Sequence, residues 1–503
     1  MIRVFLVFCI SAMIMHAPAQ AAWHEASSDH FLIYSDQKES DIRAFAERLE
    51  RYHDAMRFLF NRPTDKPSPS NRVTIYAVNS ARYVRELAGE GSKYLQGFYV
   101  PRAGGSLAVI PEVKAGRYEL SESESVLLHE YAHHFLLSVS ARAYPLWFSE
   151  GYAEFFGTAK FGSDGSVGLG LSSKNRAYEL ALAKDVPIEM LLDTQAYQAN
   201  KSKRYDSFYG QSWALYHMLH FFQERKGQLE AYLLAMAKGQ TEMAAAAEAF
   251  GDISQLDKDL SSYLRKRKIL TYNIPPDYLK TGEINIRPLN AAEAEIMPVR
   301  IRSKRGVDEE QATALLPEAR AVGAKYPNDP FVQAALAEAE FDAGNDKEAV
   351  AAADRAIAAN PRAINAHIQK GYALARMAPD AEEFDAAWEA VRGQFVKVNR
   401  IENDNPIPLM QFYMSYRGQG ITPPEIAVQG LQRALELAPY DPELRWMNAN
   451  QYMADRKYAW AAATLGPLAN NPHPSSLSEM AQTLMKEAEA KAAQATNAEK
   501  AAD

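Results

Sequence analysis

Cysteine is nearly absent from this chain, and its scarcity excludes a fold held together by disulfide bonds. The 503 residues contain a single cysteine, Cys9, and one thiol cannot form an intramolecular disulfide bond. A chain of this length buries enough apolar surface to fold without such cross-links. We therefore expect a core stabilised by packing alone.

Long apolar runs are also scarce, which excludes a membrane-spanning architecture for most of the chain. The one marked apolar stretch, residues 4–15, follows Arg3 and precedes the small-x-small sequence at residues 19–21. This order is typical of a signal peptide, and the stretch is short for a transmembrane helix. We expect residues 1–21 to direct export to the periplasm or secretion, with an uncleaved N-terminal anchor as the alternative. No transmembrane segment is expected in the mature chain.

Basic runs are the third feature that is missing. The formal net charge is −8, and the longest uninterrupted basic run, residues 265–268, ends a helical pattern, where cations suit the helix dipole. Proteins that follow a nucleic-acid backbone usually carry a basic face. We therefore expect no nucleic-acid partner.

What the chain contains is a mixed first half and a helical second half, and its length suggests two to four domains. In residues 22–270, alternation and β-branched residues predict strands, whereas apolar residues at helical spacing predict helices. The predicted strands are 30–35, 72–78, 97–100 and 107–110, the last two as a hairpin. The predicted helices are 40–60, 123–140, 146–156, 211–224, 228–238, 242–250 and 253–267.

The second half shows a repeat. Residues 271–307 are predicted to be a linker or a small β-hairpin formed by 283–288 and 297–302. From residue 308 alanine becomes frequent, and prolines recur at 327 and 361 and again at 439 and 472. This period of 33 to 34 residues resembles a tetratricopeptide (TPR) array, predicted for 308–493 with about four units. A non-repetitive alanine-rich helical domain is the alternative, and a disordered tail is predicted for 494–503.

A metal-ligand motif lies in the first half. The sequence LLHEYAHHF at residues 127–135 contains His129, Glu130 and His133 in an H-E-x-x-H arrangement. On a helix the two histidines lie four residues apart and share one face, so both imidazoles can bind one zinc ion. Glu130 follows the first ligand, where it can hydrogen-bond a metal-bound water.

A third ligand is predicted downstream. A catalytic zinc ion takes three protein ligands and leaves one position for water. Glu150 lies 17 residues after His133 on a second amphipathic helix, far enough for the chain to turn and return. A buried carboxylate without a partner is costly, and coordination removes that cost. We predict one Zn²⁺ per chain, held by His129, His133 and Glu150, with a surface position for Glu150 as the alternative.

The two segments LLHEYAHHF and PLWFSEGYAEFF resemble the gluzincins, and within them the peptidase-MA-like group. The resemblance covers roughly residues 22–270 and implies an α+β zincin-like metallopeptidase domain. It implies the same three zinc ligands, with Glu130 as general base for the hydrolysis of peptide bonds. Because no motif for binding a substrate α-amine is evident, cleavage of internal bonds is expected.

Further residues are candidates for supporting roles. Glu154, one turn after Glu150, is predicted to accept a hydrogen bond from a ligand histidine, as an acid at this offset does in relatives; a solvated position is its alternative. Tyr209 is the first candidate for stabilising the oxyanion and Tyr205 the second, with core packing as the alternative. His134 points away from His133 and is predicted to be structural. The strand 107–110 is the candidate edge for binding an extended peptide.

Together these features predict a multi-domain protein, an α+β zincin-like metallopeptidase followed by an all-α TPR-like solenoid. Its expected function is exported zinc-dependent hydrolysis of protein or peptide substrates, with the repeats recruiting substrates or protein partners. The alternative is a protein-binding scaffold whose zinc-bound front domain is inactive or latent.

Overall fold

The computed structural model describes residues 23–63, 66–89, 95–114, 120–140, 142–201, 205–266, 268–471 and 475–502. The predicted signal peptide and Cys9 lie outside these ranges. Within the ranges, no helix combines the length and apolar character needed to cross a membrane.

Nine strands form two sheets in the described residues. The strands are β1 (His24–Ser27), β2 (Phe31–Ser35), β3 (Val73–Val78), β4 (Phe98–Val100), β5 (Leu107–Pro111), β6 (Lys160–Phe161), β7 (Val167–Leu169), β8 (Tyr272–Ile274) and β9 (Asn285–Pro288). The larger sheet has the order β4-β5-β3-β2-β1-β9, and the smaller one has the order β6-β7-β8. β2, β3 and β5 run parallel to one another, while β4 pairs antiparallel with β5.

The prediction that residues 107–110 form an edge strand is wrong. β5 covers residues 107–111 and lies between β4 and β3, so its backbone is paired on both sides. The hairpin partner β4 takes the outer position instead. A strand with an unpaired side can accept an extended peptide, and β4 is such a strand among those described.

In the described part of residues 23–266, eleven α-helices accompany the strands. They are α1 (Glu39–Leu59), α2 (Ala81–Ala88), α3 (Glu122–Val139), α4 (Leu146–Gly157), α5 (Lys174–Leu182), α6 (Ile188–Leu191), α7 (Thr194–Asn200), α8 (Phe208–Phe221), α9 (Gln228–Ala237), α10 (Glu242–Phe250) and α11 (Ile253–Leu264). α3 begins at a capping box in which Ser121 and Glu124 satisfy each other's backbone N–H groups. The predicted strands at 30–35 and 72–78 and helices at 40–60, 123–140 and 146–156 are confirmed to within two residues.

The predicted hairpin in residues 271–307 is wrong, because its second half is the helix α12 (Ala291–Arg305). Met297, Val299 and Ile301 are all buried, and their alternation resembles a strand. Met297 and Ile301 pack on the large sheet, whereas Val299 packs on the first repeat helices. A helix buried on two faces produces this pattern, and an Asn290–Glu293 capping box starts it.

The rest of the chain is a series of antiparallel helices. They are α13 (Glu309–Lys325), α14 (Pro330–Asp342), α15 (Asp346–Ala359), α16 (Ile364–Met377), α17 (Phe384–Ile401), α18 (Pro406–Gly418), α19 (Glu425–Leu437), α20 (Pro442–Ala454), α21 (Tyr458–Ala469) and α22 (Ser476–Ala502). We call α13 to α22 the repeat array.

The repeat array is TPR-like, as predicted. The helices α14 to α21 form four hairpins, and each helix packs on the next. In three hairpins the first helix starts with an Asp or Asn cap followed by proline, at residues 329–330, 405–406 and 441–442. A side-chain cap and a proline at the first helical position both favour helix initiation. α22 reaches Ala502, which differs from the disordered tail predicted for 494–503.

The repeat array contacts the turn before β3 and the loop between β4 and β5. The Asn71 side chain donates to the carbonyl oxygen of Leu437 at 2.9 Å, and the Tyr440 hydroxyl donates to Asn71 Oδ1 at 3.1 Å. The backbone N–H of Ala103 donates to Asp441 Oδ2 at 2.6 Å. Beside them the Tyr440 ring, just before α20, lies 4.0 Å from the ring of His134 on α3, the helix that carries the H-E-x-x-H motif.

Candidate metal centre

The helices α3 and α4 bring the predicted ligands together. His129 and His133 lie one turn apart on α3, and Glu150 lies on α4. The two helices approach closely because Gly157 has no side chain, since a Cβ there would lie 3.1 Å from His129 Cβ. Close packing of α3 on α4 therefore depends on a glycine at the end of the helix that carries Glu150.

The three predicted ligands form one cluster. One donor atom from each of His129, His133 and Glu150 lies within 4.8 Å of the others. Glu150 Oε2 lies 3.4 Å from His129 Nε2 and 3.7 Å from His133 Nε2. Among the described residues, this is the one cluster of three His, Cys, Asp or Glu side chains close enough to share a metal ion.

The environment of Glu150 fits a bound cation. Glu150 is fully buried, and neither carboxylate oxygen accepts a hydrogen bond of normal geometry from a described residue. Burial raises the pKa of this carboxyl group, but the two imidazoles outweigh burial and hold the pKa well below its usual range. A buried anion of this kind needs a positive charge beside it. Two histidines and one glutamate are a ligand set of catalytic zinc, so these residues fit Zn²⁺.

Glu154 lies where it can orient His129. Its Oε1 lies 3.3 Å from His129 Nδ1 and accepts from Arg176 Nη2 at 2.6 Å. Burial raises the pKa of Glu154, but His129 and Arg176 lower it to about 2, so the carboxylate stays ionised. An anion on the second ring nitrogen fixes the tautomer that leaves Nε2 for a metal.

Arg176 and Glu179 extend this network and were missed by the sequence analysis. Arg176 Nη1 donates to Glu179 Oε2 at 2.6 Å, and Glu179 Oε1 accepts from the backbone N–H of Gly210 at 2.7 Å. The network therefore links α4, α5 and α8. No motif marks either residue, and Arg176 lies 22 positions after Glu154, so local patterns carry no signal for the contact.

His133 has its own support. The hydroxyl group of Ser149, the residue before Glu150, lies 3.3 Å from His133 Nδ1. The same helix thus supplies a predicted ligand and a partner for the other nitrogen of a ligand histidine. When Nδ1 carries the proton and donates to this hydroxyl group, Nε2, which lies on the Glu150 side, keeps its lone pair for a metal ion.

Tyr209 lies in the first turn of α8, near the cluster. The Arg176 guanidinium lies 4.8 Å from the centre of its ring. Burial raises the pKa of Tyr209, and the charge of Glu150 raises it further, so the phenol remains a hydrogen-bond donor. Tyr205, the second candidate, is 66% exposed, and its hydroxyl donates to Glu179 Oε2 at 3.2 Å. The O–H group of Tyr205 therefore donates to Glu179 and not toward the predicted metal ligands.

A cavity of about 410 Å³ adjoins the cluster at His133. Glu130, His133 and His134 line it on the α3 side, and the edge strand β4 lines it with Phe98 and Tyr99. His134 Nδ1 lies 2.8 Å from the Tyr99 hydroxyl, and burial lowers the pKa of His134 to about 3. His134 is thus neutral and joins α3 to β4 at the cavity wall.

The comparisons with known proteins cover the two parts unequally. A family model described as a protein of unknown function (DUF1570) matches residues 124–240, a span that contains all six predicted site residues. No curated protein matches this chain.

Several solved structures are similar to the chain. One is a thermophilic TPR protein of Thermus thermophilus, at 18% identity, covering 39% of this chain and 99% of that one, with a TM-score of 0.34. Another is the pilF protein of Pseudomonas aeruginosa, at 17% identity, covering 41% and 88%, with a TM-score of 0.33. A third is part of a TPR protein of Cytophaga hutchinsonii, at 15% identity, covering 60% and 94%, with a TM-score of 0.26. These TM-scores are too low to support an argument from similarity. The TPR-like assignment therefore rests on the helix hairpins of this chain.

Proposed function

We propose that this protein is a zinc-dependent metallopeptidase with a zincin-like front domain. The observation that carries the proposal is the fully buried Glu150 carboxylate, which faces two histidines of an H-E-x-x-H helix and accepts no hydrogen bond of normal geometry from a described residue. His129, His133 and Glu150 would hold the ion. When bound there, zinc polarises a peptide carbonyl group and lowers the pKa of a water molecule.

The remaining residues are proposed to act as general base, as positioning residues and as hydrogen-bond donor to the oxyanion. The Glu130 carboxylate accepts a proton from the attacking water and delivers it to the nitrogen of the leaving amine. Glu154 holds His129 through Nδ1, and Arg176 holds Glu154. The Tyr209 hydroxyl donates a hydrogen bond to the oxygen of the scissile carbonyl as negative charge develops on it.

The edge strand β4 supplies a place for the substrate backbone. Its outer side is unpaired among the described strands, and Phe98 and Tyr99 line the same cavity as Glu130. An extended peptide that adds to this edge gains backbone hydrogen bonds independent of its sequence. Protein or peptide substrates are therefore proposed, and the predicted signal peptide favours an exported, periplasmic site of action.

The test uses residues 22–503 and a mixed peptide library, with cleavage read by mass spectrometry. Glu130→Gln is expected to abolish cleavage while retaining zinc, measured by elemental analysis, because Glu130 is not among the ligands. Glu122→Gln is the matched control, since Glu122 is an exposed residue on the same helix. Full activity in Glu130→Gln would rule out its role as base, and cleavage that survives complete removal of zinc would rule out a metallopeptidase.

A second candidate function is a protein-binding scaffold. The observation in its favour is the repeat array, since stacked helical hairpins present extended surfaces to protein partners. Full-length Glu130→Gln protein, used as bait in an extract of exported proteins, tests it. Specific partners together with zinc-bound, inactive wild-type protein would favour the scaffold. Cleavage of the captured partners by the wild type would favour a peptidase with recruited substrates.

A further inference from the structure

The repeat array forms one wall of the cavity beside the candidate metal centre. Tyr440, Pro442, Arg445 and Leu468 line it from the array, opposite Glu130 and its neighbours on α3. A cavity of about 410 Å³ lies in the range that encloses a small ligand or a few residues of a peptide. The array therefore contacts whatever occupies the cavity.

Arg445 is the unusual residue of this wall. It lies in the first turn of α20 and is only 3% exposed. Its Nη2 atom is buried without a hydrogen-bond partner among the described residues, and Nη1 makes one long contact, 3.4 Å, to the carbonyl oxygen of Thr464. A guanidinium group has five N–H donors, so most of its hydrogen-bonding capacity is unused.

The nearest anion is already engaged. Asp441 Oδ2 accepts from the backbone N–H of Ala103 at 2.6 Å, and Oδ1 accepts from the backbone N–H of Leu444 at 2.7 Å. Burial lowers the pKa of Arg445 to about 10, and the Asp441 charge only partly offsets burial. Arg445 is therefore charged at neutral pH, and no described carboxylate lies within ion-pair distance of it.

The position of Arg445 makes this charge costly in three ways. The guanidinium is buried, it lacks a paired anion, and it lies at a helix N-terminus, where the helix dipole disfavours positive charge. An arginine that served packing alone would have its donors satisfied by neighbouring groups. An anion in the cavity would relieve all three costs, and Glu130 is the only carboxylate among the described lining residues.

We propose that Arg445 binds a carboxylate group of the bound peptide, so that the repeat array selects substrates inside the cavity. The carboxylate is the C-terminus of the peptide or the side chain of an Asp or Glu residue, which offer the same chemistry. Hydrolysis after binding rests on the proposed function, but carboxylate binding does not.

The experiment measures binding separately from cleavage. Full-length Glu130→Gln protein is mixed with an acetylated hexapeptide library, prepared once with free C-terminal acids and once with C-terminal amides. Retained peptides are quantified by mass spectrometry. One charge-assisted contact is expected to favour the carboxylate-bearing peptides about 10- to 100-fold.

Second-site substitutions in the same protein assign the preference. Arg445→Gln is expected to abolish it, and Arg445→Lys is expected to retain part of it, because the charge remains. Arg142→Gln is the matched control, since Arg142 also lines the cavity but is exposed, and it should keep the preference. Zinc content and circular dichroism check that each variant folds.

The outcomes are distinguishable. A preference for acids over amides that Arg445→Gln removes identifies a C-terminal carboxylate, whereas enrichment of Asp and Glu among retained amides identifies a side chain. Equal retention of all peptides, no retention of any, or a preference that persists in Arg445→Gln overturns the proposal. Peptide binding without cleavage by the wild type would instead contradict the peptidase function while leaving Arg445 its role.

Discussion

At the scale of single residues, the position of Glu154 makes a prediction about zinc affinity. Glu154→Gln removes the anion from His129 Nδ1 and leaves Arg176 without one of its two carboxylate partners. Loss of such a partner typically weakens metal binding about 10- to 100-fold. Competition with a chromophoric chelator measures the change, with Glu122→Gln as control. Unchanged affinity would mean that Glu154 does not act through His129.

The residue scale also shows what a local pattern can predict. His129, Glu130 and His133 follow from spacing on one helix, and Glu150 and Glu154 follow from a second short segment. Arg176, Arg445 and the pairing of Ser149 with His133 depend on how separate helices meet. Such contacts leave no periodic signal, so they emerge only from the folded chain.

At the scale of elements, Gly151 controls the packing of α4. A Cβ at Gly151 would overlap the carbonyl oxygen of Ser212 on α8, and backbone cannot give way as a flexible side chain can. Gly151→Ala should therefore lower the free energy of unfolding by about 1–3 kcal/mol. Because Glu150 is the preceding residue, zinc affinity should fall as well.

A second glycine gives the matched control for this prediction. Gly393 lies inside α17 with open space around its missing Cβ, and alanine is the better helix former by about 1 kcal/mol. Gly393→Ala should therefore raise the free energy of unfolding without altering zinc binding. Chemical denaturation and metal titration of both variants measure these effects, and a stable Gly151→Ala protein with normal zinc affinity would contradict the packing argument.

Asp342 on α14 is expected to make the stability of the protein depend on pH. Burial, with the charge of Glu338 one turn earlier, raises the pKa of Asp342 from 3.8 to about 7, and Ser303, Lys304 and Arg376 only partly oppose this. Between these two values the folded chain holds a proton that the unfolded chain has lost. Stability therefore falls as pH rises through this window and levels off above pH 7.

Asp342→Asn should remove this pH dependence. The neutral amide is expected to stabilise the protein at pH about 8 by roughly 1–2 kcal/mol, after discounting for partial exposure, with little effect near pH 4. Thermal unfolding at several pH values measures it. Asp354→Asn, on an exposed face of α15, is the control, and an equal gain at low and high pH would contradict the assignment.

Elements whose apolar residues follow one period were predicted well, whereas α12, which is buried on two faces, was not. α1, α3, β2 and β3 each show one apolar periodicity, and the sequence locates them. α12 is buried by the sheet on one side and by the repeats on the other, which produced a strand-like alternation. The edge position of β4 likewise depends on pairing order, which alternation along a single strand does not encode.

At the scale of the whole molecule, the repeat array docks beside the cavity and supplies part of its lining. The array was predicted from its repeat period, but its docking was not. The contact between Asn71 and Leu437 joins residues 366 positions apart. No spacing rule reaches such a distance, so the shared cavity was outside what the sequence could predict.

This docking predicts coupling between a remote contact and catalysis. Asn71 is buried, donates to Leu437 and accepts from Tyr440, whose ring lies 4.0 Å from that of His134. Asn71 Oδ1 also accepts from the backbone N–H of Gly104 at 3.2 Å. Asn71→Ala removes all three hydrogen bonds and leaves their partners unsatisfied, which should cost about 1–3 kcal/mol of stability.

The same substitution should loosen the wall that carries Tyr440 without disturbing the metal ligands. We expect kcat/KM for library peptides to fall while zinc stays at one ion per chain, because no ligand contacts Asn71. Asn450→Ala on the exposed face of α20 is the control and should change neither quantity. If Asn71→Ala loses stability but keeps full kcat/KM, the array wall does not contribute to turnover. If it loses zinc as well, the contact supports the α3 helix itself, and the array acts on the ligands through His134.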